Sequence, residues 1–411
     1  MSTLPTNSGA CADGLSLASG SLARHMYPAG VPRTIEIPAM PAWGLLARAT
    51  SEVPERLAVE FLNHRWSYRE IDAASTRLAS WLRSQAIDVG DRVGVLLPNS
   101  AEYLIALNGI WKAGGVAVAI SPLSVPGEVE ALLSLTDCRT VVSLDVLSPL
   151  LKRCESLEHI LMTSLYQYLP TWTGLAYLAA RWHRTGKWLH SADATHHWFW
   201  DAVQQDAPEF AVEDVHANFP AYILSTGGTT GDPKAVTLSH RNIVANAWQQ
   251  MTWAGSTMGQ ETMLAVLPFF HSYGMSTMLA GGPALGASLI MQPRFHPLRA
   301  LKTIEAQRPS VFHAVPAMLA AMNEVLRKQS IDLSSLKWVI SGGAPLPGSI
   351  AEEFAHYSGA IIVEGYGLSE ASPVTHVGPL DGSNIQGTIG LHLPNTECRI
   401  VDQSDGRTDL E

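Results

Sequence analysis

The sequence predicts an α/β fold with two doubly wound, mostly parallel sheets covered by helices. Short apolar runs alternate with segments of helical periodicity in both halves of the chain, and these runs are apolar throughout. Strands that are buried on both faces by crossover helices have this character. The chain has 411 residues, of which 46% are hydrophobic and 16% charged. It is therefore long and apolar enough to form large buried cores.

The first half of the chain contains three strand-like runs separated by two helix-like segments. Strands are expected at residues 93–97, 116–120 and Thr140–Leu144, with helices at residues 101–111 and 128–135. Because parallel strands need a crossover between them, this order favours a parallel sheet.

The second half repeats the alternation. Strands are expected at residues 262–267, 287–291, 310–313, 337–340 and 360–363, and helices at residues 297–306 and 316–328. Ligands of such sheets bind beyond the carboxyl ends of the strands.

Residues 272–293 contain no charged side chain, and such a run is long enough to span a bilayer. Gly281, Gly282, Pro283 and Gly286 interrupt it. We therefore expect a buried helix, a Gly/Pro turn and a buried strand there, and no membrane span.

Charge and cysteine usage exclude several classes of protein. The net charge of −10 argues against a nucleic-acid-binding surface. Cys11, Cys138, Cys154 and Cys398 are scattered, which indicates a reducing cytoplasmic location and no disulfide framework or zinc knuckle. The adjacent His196 and His197 are not interpreted as a metal site.

Four regions are predicted along the chain. Residues 1–31 form a flexible N-terminal segment without the features of a signal peptide. Residues 32–220 form a first α/β subdomain with an aromatic-rich insertion at 148–200, and residues 221–376 form a second one. Residues 377–411 are expected to begin a small β subdomain that remains incomplete.

Residues 224–234, Leu-Ser-Thr-Gly-Gly-Thr-Thr-Gly-Asp-Pro-Lys, are the most informative segment. They follow a strand-like run and combine three glycines, four hydroxyls and a lysine. Glycines let backbone N–H groups converge on an anion, so the segment predicts a phosphate-binding loop. It is not of the Walker type, because the Gly-Lys-Ser/Thr ending is absent. The predicted contacts are Ser225, Thr226, Gly227, Gly228, Thr229, Thr230, Gly231 and Lys234.

Three further motifs follow in order: Pro-Phe-Phe-His-Ser-Tyr-Gly at 268–274, Ser-Gly-Gly-Ala-Pro-Leu at 341–346 and Glu-Gly-Tyr-Gly-Leu-Ser-Glu at 364–370. With the phosphate loop, they resemble the adenylate-forming superfamily of acyl-CoA synthetases, luciferases and nonribosomal adenylation domains. The likeness is to the N-terminal domain of bacterial long-chain fatty acid–CoA ligases and covers about residues 66–402.

This resemblance implies an AMP-forming ligase that uses ATP, Mg²⁺ and coenzyme A to convert a carboxylic acid into an acyl-adenylate and then a thioester. Lys234, His271 and Glu370 would have catalytic roles, on phosphate, on the acyl carboxylate and on magnesium respectively. The nucleotide would also contact Gly343, Ala344, Pro345, Glu364, Gly365, Tyr366, Gly367 and Ser369, with Tyr366 stacked on adenine.

The sequence departs from the family pattern in three places. Ala235 replaces a usual glycine, and Ser369 a usual threonine. Residues 399–402 resemble the first strand of the family's small β-barrel, but the family's later aspartate motif and C-terminal domain do not follow. The chain is therefore expected to be weakly active or inactive as a ligase.

Other interpretations remain open at this point. The chain also fits a β-lactone synthetase, a nonribosomal adenylation domain or a non-catalytic nucleotide- or acyl-binding remnant. An amino-acid activator usually has an aspartate where His271 stands, which favours a simple carboxylic acid.

Two sets of aromatic residues also have open roles. Trp248, Met251 and Trp253 either line an acyl tunnel or pack in the core. The aromatic and basic segment at residues 148–200 is either a packed insertion or a peripheral membrane contact. The expected partners are otherwise small molecules and no nucleic acid.

Overall fold

The computed structural model describes residues 27–187, 192–204, 215–226 and 234–409. Five predicted phosphate contacts lie outside the described residues, as does most of the predicted N-terminal segment. These contacts are Gly227, Gly228, Thr229, Thr230 and Gly231.

The larger sheet has nine strands in the spatial order β16-β15-β14-β13-β12-β10-β11-β1-β2. Its strands are β1 (Leu57–Phe61), β2 (His64–Ser67), β10 (Thr262–Ala265), β11 (Ser288–Met291), β12 (Val311–Ala314), β13 (Trp338–Ser341), β14 (Ile361–Gly367), β15 (Val374–Val377) and β16 (Leu391–His392). The pairs from β1 through β11, β10, β12 and β13 to β14 are parallel.

The second sheet has seven strands in the order β7-β6-β5-β3-β4-β8-β9. They are β3 (Arg92–Leu96), β4 (Val116–Ala119), β5 (Thr140–Leu144), β6 (His159–Thr163), β7 (His196–Trp198), β8 (Pro220–Thr226) and β9 (Lys234–Ser239). Only β9 pairs antiparallel in this sheet. The predicted mostly parallel architecture is confirmed, with antiparallel strands at the edges.

Helices connect these strands and cover both sheets. They are α1 (Gly44–Glu52), α2 (Tyr68–Ser84), α3 (Ala101–Lys112), α4 (Pro126–Leu135), α5 (Thr171–Thr185), α6 (Phe199–Gln204), α7 (His240–Ala254), α8 (Ser272–Gly274), α9 (Gly281–Leu285), α10 (Pro297–Gln307), α11 (Pro316–Leu326) and α12 (Gly348–Ser358). Short 3₁₀ turns lie at Asp145–Leu151, Leu165–Tyr168 and Ser369–Ala371.

Each sheet contains strands from both halves of the chain. β1 pairs with β11, and β8 pairs with β4 across the predicted boundary at residues 220 and 221. The four predicted regions stay a prediction.

The uncharged run at residues 272–293 is helical from α8 through a π-helical turn at Met275–Ala280 to α9, and it ends in β11. The predicted order of buried helix, turn and buried strand is present, but residues 281–283 belong to α9 and not to the turn. Pro283 therefore lies inside a continuous helical segment, directly after its π-helical turn. The turn is instead at Gly286, whose φ is +59°. Among the described residues, no helix is both long and apolar enough to cross a membrane.

Residues 399–402, predicted to be a β-barrel strand, form only an isolated bridge between Val401 and Asp409. Of the described residues after Val377, only the two-residue β16 is a strand, and it extends the nine-stranded sheet. No closed barrel is present in this described part.

The nine-stranded sheet separates two cores. On one face, Phe312 and Val339 pack with residues of α10, α11 and α12, such as Leu301, Leu319 and Phe354. The other face belongs to a larger core shared with the seven-stranded sheet. A cavity lies on this second face.

Candidate active site

A cavity of about 300 Å³ extends along the nine-stranded sheet from the carboxyl ends of its central strands toward their amino ends. The residues that line its mouth come from three of the four predicted motifs: His271, Ser272, Tyr273, Gly342, Gly343, Gly365, Tyr366, Gly367, Leu368 and Ser369. The sequence prediction that these motifs form one site is thus supported by a shared cavity.

The walls of the cavity follow the period of two residues of the strands. Val311 and His313 of β12 line it, as do Trp338 and Ile340 of β13, whereas the intervening Phe312 faces the core on the opposite side of the sheet. At about 3.3 Å per residue, the distance from the level of Trp338 to the glycines at the mouth is about 13 Å. The cavity is therefore deep, narrow and largely apolar.

Glycines allow the backbone to close around the mouth. A Cβ atom on Gly342 would lie 3.0 Å from the Tyr273 ring and 3.1 Å from the Gly365 carbonyl oxygen. A Cβ atom on Gly367 would lie 2.1 Å from the carbonyl oxygen of Pro373. Gly367 accepts only glycine without a shift of the backbone, whereas a side chain at Gly342 would require its neighbours to move by a few tenths of an ångström.

Glu364, a predicted nucleotide contact, has a positioning role in this structure. Its Oε2 accepts a hydrogen bond from the backbone N–H of Leu346 at 3.0 Å. The bond joins β14 to the loop that contains Gly343, Ala344 and Pro345, which are exposed. Glu364 thus fixes the loop predicted to face adenine.

His271 precedes α8 at the rim of the cavity. Its Nδ1 accepts a hydrogen bond from the backbone N–H of Tyr273 at 3.2 Å. In the neutral ring this leaves the proton on Nε2. Burial lowers the pKa of His271, so the neutral form prevails at pH 7. A neutral N–H donor suits a carboxylate oxygen.

Tyr273 and His313 form a half-buried polar pair beside the cavity that the sequence did not suggest. The Tyr273 hydroxyl donates to the carbonyl oxygen of Ile340 at 3.0 Å and lies 3.3 Å from Nδ1 of His313. Burial lowers the pKa of His313 to about 4 and raises the pKa of Tyr273. Both side chains are therefore neutral at pH 7 and support the wall without charge.

Two predicted motifs meet through their serines. The hydroxyl oxygens of Ser272 and Ser369 lie 2.9 Å apart. Glu370 follows Ser369 in the 3₁₀ turn Ser369–Ala371 and is exposed. An exposed carboxylate beside a hydroxyl fits Mg²⁺, which usually takes one or two carboxylates together with substrate phosphates.

The predicted phosphate loop connects the antiparallel strands β8 and β9, in which Thr226 pairs with Lys234 and Ser225 with Ala235. β9 approaches the Ser369–Ala371 turn to within 8 Å between Cα atoms. The end of the loop and the turn that carries Glu370 are thus neighbours. Lys234 itself is exposed and lines a separate surface groove.

Helix α7 contributes one cavity residue that the sequence indicated and one that it did not. Trp253 and Gln250 lie three residues apart on this helix and line the cavity, and the Trp253 indole donates to the Gly378 carbonyl oxygen at 3.2 Å. Trp248 and Met251 instead contact Arg48. Of the three candidate tunnel residues on this helix, only Trp253 lines the cavity.

Trp338 lines the cavity near the amino ends of the strands and is held by an aromatic and a polar contact. The Trp338 indole donates to the Leu380 carbonyl oxygen at 3.0 Å, and the Lys337 ammonium lies 5.8 Å from the Trp338 ring centroid. Lys337 also bonds the buried carboxylate of Glu261 at 3.1 Å. Burial opposes ionisation of Glu261, but hydrogen bonds from Ser310, Ser256 and Lys337 hold its pKa below the ordinary value.

Within the described ranges, no group of three or more His, Cys, Asp or Glu residues is arranged to hold a metal ion. His196 and His197 lie on β7, and Nε2 of His197 is 3.2 Å from Nδ1 of His159.

Residues 46–409 match the family described as AMP-binding enzyme. The chain is 32% identical over 389 residues to a long-chain-fatty-acid–CoA ligase of Bacillus subtilis, a match that covers 92% of this chain and 69% of the relative. It is 29% identical over 402 residues to a ligase of the same name from Salmonella typhimurium, with 93% and 70% covered.

Among solved structures, a long-chain-fatty-acid-CoA ligase from Archaeoglobus fulgidus is similar in fold, with a TM-score of 0.78 at 22% identity. The match covers 93% of this chain and 75% of that chain.

Proposed function

Because the chain belongs to the family of AMP-binding enzymes, we propose that it is an AMP-forming fatty acid–CoA ligase that activates a long-chain carboxylic acid. One observation carries the proposal. A deep apolar cavity opens between the motif residues predicted to hold the acyl carboxylate and those predicted to hold adenine, His271 and Tyr366. Such a cavity fits an acyl chain whose carboxylate lies at the mouth.

The first half-reaction joins the acid carboxylate to the α-phosphorus of ATP and releases pyrophosphate. The reactants are both anionic, so catalysis depends on positioning and on stabilisation of developing charge. His271 would donate its Nε2 proton in a hydrogen bond to the acid carboxylate. It does not act as a base, because a carboxylate is already ionised at pH 7.

Nucleotide contacts complete the assignment. Lys234 and the hydroxyls and N–H groups of the loop at residues 225–231 would hold the β- and γ-phosphates. Tyr366 would stack on adenine opposite Gly343, Ala344 and Pro345, and Gly365 and Gly367 leave room for its ring. Tyr366 is 47% exposed, which supports a role at an open face.

The proposed ligand of Mg²⁺ is Glu370, and the hydroxyl of Ser369 is adjacent to it in the sequence. The ion supplies charge neutralisation for the phosphates when it is bound. Glu370 would hold it, and the contact between Ser272 and Ser369 would keep the turn in place. Coenzyme A then displaces AMP in the second half-reaction.

We also propose that the protein is cytoplasmic and contacts the membrane peripherally through residues 148–200. The free thiols of Cys138, Cys154 and Cys398 support a reducing compartment. Long-chain acids partition into bilayers, so a ligase at the membrane meets its substrate there.

The test is exchange of labelled pyrophosphate into ATP, measured with and without a long-chain acid. We expect weak but acid-dependent exchange that is lost in Lys234→Met, which removes the charge but keeps an unbranched side chain. A folded protein that binds both acid and ATP without exchange would contradict the catalytic assignment. Exchange driven by amino acids instead of fatty acids would indicate a nonribosomal type of adenylation.

A further inference from the structure

Helix α5 has its polarity reversed relative to an ordinary surface helix. Its buried side carries a charge: Arg181 bonds the buried carboxylate of Asp145 at 2.7 Å, and the Tyr177 hydroxyl donates to the same carboxylate. Gly174 lies on this side as well, against the ring of Tyr166. The helix is therefore fixed to the protein by polar contacts and a close approach.

The outer side of α5 is apolar. Trp172 is 84% exposed, Leu175 50% and Trp182 47%. Ala176 and Ala179 are exposed between them. The positions 172, 175, 176 and 179 have the i, i+3, i+4, i+7 spacing of a single helical stripe. Soluble proteins usually turn such a stripe inward, and a contiguous exposed one marks an interaction surface.

The sequence that contains this stripe is basic, although the whole chain carries −10. Between Glu158 and Asp193 the sequence contains no acidic residue. His183, Arg184 and Lys187 follow at the end of the helix, and all three are exposed. An apolar stripe with tryptophans and a basic rim is typical of helices that lie in the interface of anionic bilayers.

We propose that the outer face of α5, formed by Trp172, Leu175, Ala176, Ala179 and Trp182, docks on the surface of an anionic lipid bilayer. The tryptophans enter the interfacial region, while Arg184 and Lys187 face the lipid headgroups. Because Asp145 and Tyr166 hold the inner side, the protein docks without unfolding the helix. The inference specifies the membrane contact proposed above. It rests on the proposed function for its reason, which is that the bilayer holds the acyl substrate.

The test is flotation of the 411-residue protein with vesicles of phosphatidylcholine, alone or mixed with phosphatidylglycerol. We expect binding to the mixed vesicles. Trp172→Ala with Trp182→Ala should weaken this binding by at least about tenfold, because two large apolar side chains are removed from the interface. Trp172→Phe with Trp182→Phe should retain most of it.

Two further variants distinguish the effect of the basic side chains from the effect of any surface substitution on vesicle binding. Arg184→Glu with Lys187→Glu should reduce binding to the mixed vesicles much more than binding to pure phosphatidylcholine. Leu123→Ala is the matched control, because Leu123 is 85% exposed but lies outside α5. It should float like the unmodified protein. Circular dichroism confirms that each variant is folded.

Equal flotation of the double alanine variant and the unmodified protein would overturn the proposal. So would a dimer in sedimentation that the same variant dissociates, because the face would then belong to a second copy of the chain. Pyrophosphate exchange with a short, water-soluble acid is measured in parallel. Exchange without vesicle binding would refute the surface alone, whereas vesicle binding without exchange on either the short acid or a long-chain acid would refute the ligase assignment alone.

Discussion

The hydroxyl oxygens of Ser272 and Ser369 lie 2.9 Å apart, although 97 residues separate them in the chain. Ser272 begins the short helix after His271, and Ser369 begins the turn that carries Glu370. This hydrogen bond therefore ties the acyl side of the proposed site to its metal side. A shift of one side would move the other.

We expect Ser272→Ala and Ser369→Ala to act non-additively. A hydrogen bond contributes about 1 kcal/mol net, so each variant should lower the exchange rate by roughly fivefold and the double variant by little more. Ser369→Thr keeps the hydroxyl and should stay near the unmodified rate. Exchange kinetics of the four proteins measure the coupling, and fully additive effects would contradict it.

Glu370→Ala should weaken the binding of Mg·ATP while fatty acid binding stays nearly unchanged. Loss of one group that stabilises charge in a preorganised site typically lowers the rate by about a hundred- to a thousandfold. Calorimetric titration with each ligand measures the separation. Glu353→Ala is the matched control, because its carboxylate pairs with Arg327 at the surface of α12. Equal loss of both ligands in Glu370→Ala would argue against the magnesium role.

Trp338→Ala should shift the preferred acid toward a longer chain. The indole lines the cavity near the amino ends of the strands and is held by the Leu380 carbonyl oxygen, so its removal should enlarge the space there. Exchange rates across a series of acids of increasing length measure the shift. Trp248→Ala removes an indole that stacks on Arg48 outside the cavity, and its length profile should not change.

His240 should make the protein less stable as the pH falls. It is 1% exposed, its Nδ1 accepts a hydrogen bond from the Ala42 N–H at 3.0 Å, and burial lowers its pKa to about 4. The unfolded value is about 6.5, so between these values the unfolded chain binds more protons. The free energy of unfolding should decrease by up to about 3 kcal/mol as the pH falls from 6.5 to 4.

Denaturant unfolding at several pH values checks this slope. His240→Asn retains an oxygen acceptor for Ala42 and should flatten the slope over the same window. An unchanged slope in this variant would assign the acid sensitivity to other groups, such as His313.

Local patterns predicted most of the elements but not their partners. The helix at residues 101–111 and the strand Thr140–Leu144 were found because their periodicity is contained in the local sequence. That β1 joins β11 depends on contacts between distant segments, which no local pattern contains. Gly281 and Pro283 indicated a turn, yet tertiary packing continues the helix through them.

The candidate site likewise contains residues that local patterns predicted and residues that they did not. The motifs identified the residues at the mouth, because glycines and hydroxyls at fixed spacing have a recognisable chemistry. Trp338 and His313 lie on strands among apolar neighbours, and only the choice of sheet face makes them part of the cavity. Side chains two residues apart on a strand share a face, and this rule, applied along the strand that ends at Ser341, could have indicated that Trp338 lines the cavity. No pattern in the sequence indicated the positioning role of Glu364, because its partner is a backbone N–H group 18 residues away.

The pairing of Val59 with Leu289 has a consequence for how the protein is made. The two residues are 230 positions apart, and β1 has one sheet neighbour, β2, until β11 exists. At a synthesis rate of about 5–20 residues per second, the β1–β2 hairpin waits roughly 10–45 s on the ribosome for its parallel partner. During that time the apolar side chains of Val59 and Phe61, fully buried in the finished sheet, have no cover from β11. The nascent chain is thus exposed to misassociation at its first hairpin, and completion of the fold is delayed until the second half of the chain has emerged.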